Sequence, residues 1–255
     1  MGLFSKLFGG SKTDGSVETG PRGPSSLPAP VVRLMKKVEN KYGQSQDRQA
    51  AIRQLADMGT PEGVQGMLRR FTFRIEQSIG DEEEKRQVYD ELLRLGPVSV
   101  APILAFLEAE NAPYWPTKAL CEIIGEESTV ARLIEIIERA EAIFDRDIER
   151  KVELVSNLRE YKDPRVRDLL MGFLSAENEE LRVHAIEGLA ELGREEMGDL
   201  MVERLLDDNE TQRVKTAVLN LLIEKKWKVK HHKESIRKVI PAAFWIDDVG
   251  VIHRR

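Results

Sequence analysis

The sequence predicts an all-α fold, an α-solenoid of about six helical pairs stacked one on the next. Two observations carry this. Apolar residues recur at spacings of three and four with few β-branched runs, which is the periodicity of amphipathic helices. A nine-residue phrase also returns along the chain, and repetition at a period of 20–50 residues marks a stacked-repeat architecture. The phrase reads AIRQLADMG at Ala51–Gly59, VYDELLRLG at Val88–Gly96 and AIEGLAELG at Ala185–Gly193. Weaker copies are TKALCEIIG at Thr117–Gly125, LVSNLREYK at Leu154–Lys162 and AVLNLLIEK at Ala217–Lys225. Successive phrase ends lie 37, 29, 37, 31 and 32 residues apart.

Taken from the N-terminus, residues 1–8 form a short apolar tip in which Leu3, Phe4, Leu7 and Phe8 share one helical face, with Lys6 near the other side. Such a face suits a weak lipid contact or a partner's groove. The tip lacks the 7–15-residue apolar core of a secretory signal, and Lys6 breaks the myristoylation pattern. Residues 9–30 are rich in Gly, Ser, Pro and Thr and predict a disordered linker. A coil of about 20 residues spans roughly 25 Å, enough to tether the tip to the rest. The repeat domain is assigned to residues 31–255, with a capping helix near Val31–Tyr42 and a basic C-terminal cap over residues 226–255.

Within each phrase, positions one, five and eight make a single apolar stripe, helped by two and six. The closing glycine suits the left-handed conformation just past a helix end. Acidic residues ahead of the first helices, such as Asp47 and Asp81 to Glu84, suit helix N-termini. A second helix follows each phrase, its stripe formed by Val64, Met67, Leu68 and Phe71 in the first copy and Val166, Leu169, Leu170 and Phe173 in the fourth. One such pair cannot bury its stripe alone, so stacking supplies a continuous core.

These phrases, above all Leu181-Arg-Val-His-Ala-Ile-Glu-Gly-Leu-Ala-Glu-Leu-Gly193, resemble the HEAT-repeat superfamily over about residues 47–225, and most of all the short bacterial repeats of phycobilisome-lyase type. The resemblance implies a right-handed superhelical stack. It implies an interaction scaffold more often than an enzyme, the second helices lining the concave side. Arg70, Arg132, Arg167 and Arg204 fall there as candidate contact residues.

Composition narrows the function further. A formal charge of -5 and a single cysteine exclude a disulfide scaffold and a cysteine-based zinc finger. They also weigh against a dedicated nucleic-acid binder. No P-loop, HExxH, GxSxG or dinucleotide glycine pattern occurs. Cys121 takes a phrase position held elsewhere by leucine and reads as a small core residue. His184, His231, His232 and His253 lack metal-ligand spacing, and Asp247-Asp248 reads as a turn before Gly250. In the basic C-terminal stretch, Phe244, Trp245 and Ile246 are expected to fold back over the core.

The reading is a cytoplasmic, non-catalytic scaffold for a protein partner, with no metal or cofactor; weak peripheral attachment at the inner membrane face through the tip is the accompanying expectation. The alternatives are an enzyme or enzyme subunit of bilin-lyase type, which needs a cleft with a Cys, His or carboxylate pair, and a nucleic-acid binder, which needs a continuous basic stripe.

Overall fold

In a computed structural model, residues 27–76, 78–140, 145–192 and 197–255 are described. The candidate contacts Leu3, Phe4, Leu7 and Phe8, the linker as far as residue 26, and Gly193 lie outside these.

Each phrase is the C-terminal part of a first helix. These first helices are α2 (Ser45–Asp57), α4 (Ser78–Leu95), α6 (Tyr114–Ile124), α8 (Asp145–Leu158), α10 (Glu179–Glu191) and α12 (Gln212–Lys225). Each is followed by its partner: α3 (Pro61–Leu68), α5 (Val100–Ala109), α7 (Glu126–Arg139), α9 (Pro164–Phe173), α11 (Met197–Leu206) and α13 (Lys233–Val239). The helix that precedes them, α1 (Ala29–Val38), packs on α2 and α3. It starts two residues ahead of Val31, because Pro30 sits in its first turn, where the missing N–H costs nothing.

First helices pack on first helices, α2 on α4, α4 on α6, α8 on α10 and α10 on α12, while α3 packs on α5. The two apolar stripes meet between the layers. Ile52, Leu55, Val64, Met67, Leu92, Ile103, Leu120 and Leu133 are each fully buried in one continuous core. Residues 78–109 contain a window apolar enough for a membrane span. They nevertheless form two helices folded about Gly96, at φ 56°, whose Val88, Leu92, Ile103 and Leu107 are in the core.

Gly59, Gly96 and Gly125 take positive φ after their helices, as the phrase predicts. In the last copy the left-handed position falls on Lys226, at φ 53°. Thr60, Asp163, Asn178 and Thr211 cap the helices that follow them, each side-chain oxygen accepting a hydrogen bond from a first-turn amide.

The C-terminus departs from the all-α expectation. Strands β1 (Phe244–Ile246) and β2 (Ile252–Arg254) pair antiparallel, Ile246 opposite Ile252. Strand alternation decides which residues enter the core: Ile246 and Ile252 are buried, whereas Trp245, expected to fold inward, is 43% exposed and stacks on His253. The turn is built on Asp247, whose carboxylate accepts hydrogen bonds from the amides of Val249 and Val251 and lies 2.9 Å from His253 Nε2.

Candidate functional site

A groove of about 890 Å³ opens among α4, α6 and α8. Its origin lies in a side-chain pattern of the repeats themselves. Three residues before the phrase starts, four copies carry a cation: Arg48, Lys85, Lys151 and Arg182. Three of these staple their helix to the turn leading into it. Arg48 Nη1 donates to the carbonyls of Asn40 and Gly43, at 3.1 and 2.6 Å. Arg182 Nη1 donates to those of Ala176 and Glu177, at 2.7 and 2.8 Å, and Lys151 Nζ to that of Ala140 at 3.2 Å. The third copy has Tyr114 and the sixth Val214 instead. Tyr114 carries no positive charge and stands 49% exposed on the groove wall.

Behind the groove lies a buried ionic cluster. Arg70, the last cation before the α3–α4 connection, is 0% exposed. Its Nε donates to Glu84 at 2.6 Å, its Nη2 to Asp81 at 2.7 Å and its Nη1 to the Phe73 carbonyl at 3.2 Å. Glu84 also accepts from Arg48 and, at 2.6 Å, from the Ser45 hydroxyl. Asp81 accepts from Lys85 Nζ at 2.6 Å and from the Ile75 amide at 3.1 Å. Burial pushes both carboxyls up, but the donors outweigh it and hold both below the ordinary carboxylate range. Asp81 lies in the first turn of α4, as the sequence suggests, and both it and Glu84 are buried. They pin the connection 71–76 against α2 and α4.

That connection supplies the groove's aromatic side. The Phe71 and Trp115 rings lie parallel with centroids 6.5 Å apart, and Trp115 meets Tyr89 and Tyr114 edge-on at 5.6 Å each. Arg70 sits 4.6 Å over the Phe73 ring. The other side carries acid. Asp81 is neutralised by Lys85 and Arg70, which leaves Glu82, Glu153 and Glu160 against Arg74. Ile79, next in sequence to the lining residue Ser78, is 75% exposed. The result is an anionic channel with an aromatic base.

The arginines expected on the second helices are placed differently from one another. Arg70 is not a surface residue, because two buried carboxylates claim its guanidinium. Arg132, 55% exposed, pairs with Glu135 at 3.0 Å; Arg167 pairs with its neighbour Asp168 at 2.7 Å; and Arg204 lies 3.6 Å from Asp207. Each is neutralised locally, so the structure does not gather them into one site. A shallower groove between α7 and α9, about 690 Å³, has an apolar floor of Ile134, Leu169 and Phe173.

The remaining reactive groups are occupied. Cys121 is half-buried, and its thiol, pushed up first by burial and then by Glu126 and Glu122, hydrogen-bonds Tyr161. His184 Nδ1 lies 3.0 Å from Arg159 Nη1, and burial lowers its pKa. Among the described residues, no group of three or more His, Cys, Asp and Glu is placed to hold a metal ion.

Residues 130–222, from α7 through α12, match the family of HEAT repeats. Over these residues the chain is built of HEAT repeats. The matched segment contains the α8 wall of the groove, while α4 and α6 are extensions of the same stack on its N-terminal side. No curated protein matches the chain. HEAT repeats are commonly protein-interaction scaffolds and usually not enzymes.

Proposed function

We propose that this HEAT-repeat protein is a non-catalytic scaffold that grips a protein partner in the groove between α4, α6 and α8. The observation that carries the reading is the groove's construction: aromatic side chains held by a buried ion cluster, beside Glu82, Glu153 and Glu160, which form no ion pair among the described residues. Aromatic residues supply contact area at low entropic cost and dominate binding energy where they cluster. The acidic wall selects a partner segment that bears Lys or Arg beside an apolar anchor. Further repeats offer additional surface, including the α7–α9 groove, so that one partner can be held across several pairs.

The test is affinity capture with the full chain and quantitative mass spectrometry. The variant Tyr114→Ala/Glu153→Lys/Glu160→Lys is expected to lose the partner by about tenfold or more. Arg132→Glu, on the second-helix face, is expected to keep it. Unchanged capture by the groove variant, with helical dichroism intact, would reject the site. Loss with Arg132→Glu alone would move it to the other layer.

A further inference from the structure

We propose that residues 1–12 of the chain dock in the α4–α6–α8 groove of the same molecule, occupying it until a partner displaces them. The inference rests on reading that groove as the binding site and names its resting occupant.

Complementarity is the first argument. Residues 1–12 hold four large apolar side chains, Leu3, Phe4, Leu7 and Phe8, and two cations, Lys6 and Lys12, with no acid before Asp14. The groove offers the converse: the half-buried Phe73 and the exposed Tyr114 over the core rings of Phe71 and Trp115, and Glu82, Glu153 and Glu160 against Arg74, the other lining cation, Lys85, being paired with Asp81. An apolar anchor with flanking positive charge is what this surface selects. The shallower α7–α9 groove carries less charge of that sign: its lining acids are Glu138 and Asp168, and Asp168 is paired with Arg167 at 2.7 Å.

Reach is the second. The described chain begins at Leu27, just ahead of α1, and Glu39 at the far end of α1 pairs with Arg69 at 2.6 Å. Arg69 opens the 3-10 turn Arg69–Thr72, whose Phe71 and Thr72 line the groove. One ten-residue helix, about 15 Å long, therefore separates the point of entry from the groove's edge. The fourteen residues from Thr13 to Ser26 can bridge at most about 50 Å. A tether of this length gives a local concentration in the millimolar range. Even a segment with weak intrinsic affinity then fills the site, and a partner must outcompete it.

Zero-length carbodiimide cross-linking of the full chain tests this, since it joins a lysine amine to a carboxylate only in direct contact. The exposed pair Lys233–Asp248, 3.3 Å apart, serves as internal control. The expected products join Lys6 or Lys12 to Glu82, Glu153 or Glu160. In a mixture of isotopically light and heavy protein they join like to like. Phe4→Ser/Phe8→Ser keeps both lysines and removes the anchor, and should lower the yield by about tenfold or more. A control cross-link without the tip cross-links would overturn the proposal, as would equal yield from the variant. Light-to-heavy products would assign the groove to a second copy instead. Absent tip cross-links together with anchor-dependent co-sedimentation on phosphatidylglycerol vesicles would assign residues 1–12 to lipid. The groove itself is judged separately, by whether capture depends on Tyr114; that dependence surviving without tip cross-links defeats only the present inference.

Discussion

Arg70 shows how a single residue type can be read correctly as charged and wrongly as exposed. A buried carboxylate pair and a buried guanidinium are tolerable together because each supplies what the others lost on leaving water. Removing one member strands the rest. Arg70→Met should therefore destabilise the protein by about 3–5 kcal/mol, measured by urea unfolding at neutral pH. The same cluster sets the acid limit of the fold. Asp81 and Glu84 are held below their unfolded-state values, so their stabilisation is complete above the ordinary carboxylate range. It drains away as pH falls through the depressed folded values. Unfolding free energy of the wild type should drop across that acidic window, and Arg70→Met should show a shallower drop. Equal slopes for the two proteins would mean that the pH dependence arises elsewhere.

Among the helices, the repeat phrase exposes the stripe but hides the point of closest approach. That point is Gly63 in α3, where a Cβ would lie 2.4 Å from the Leu55 carbonyl oxygen of α2. Backbone cannot rotate aside as a side-chain end can. Gly63→Ala should push α3 off α2 and cost about 1–3 kcal/mol, seen as a lower melting temperature without loss of helical dichroism. A neutral substitution would show that the pair is looser than drawn. All six pairs are legible in the sequence because a 3.6-residue stripe and a closing glycine are local signals. The phrases predict the correct first helix in every copy, down to Leu154–Lys162, which lacks the glycine. The groove is not legible in the same way. It depends on what stands at the staple position of the third repeat, and Tyr114 means something only against Arg48, Lys151 and Arg182 seen bonding to their turns. The spacing was present as a weak signal, a cation three residues before the phrase. The β-hairpin was hidden for another reason: two three-residue strands are too short for alternation to declare itself.

At the scale of the whole molecule, stability in a stack of this kind is a sum over neighbouring pairs, so damage stays local. Ile252→Asp places a carboxylate at a buried position of β2. Hydrogen exchange should then accelerate by about tenfold or more over α12, α13 and the hairpin, while α2 to α6 keep their protection. Uniform loss of protection would instead describe one cooperative block. The hairpin also makes the two termini of the stack unlike. One is closed by a lone helix, the other by a twisted ribbon whose indole and imidazole face outward. Identical subunits joined head to tail would have to mate these mismatched surfaces.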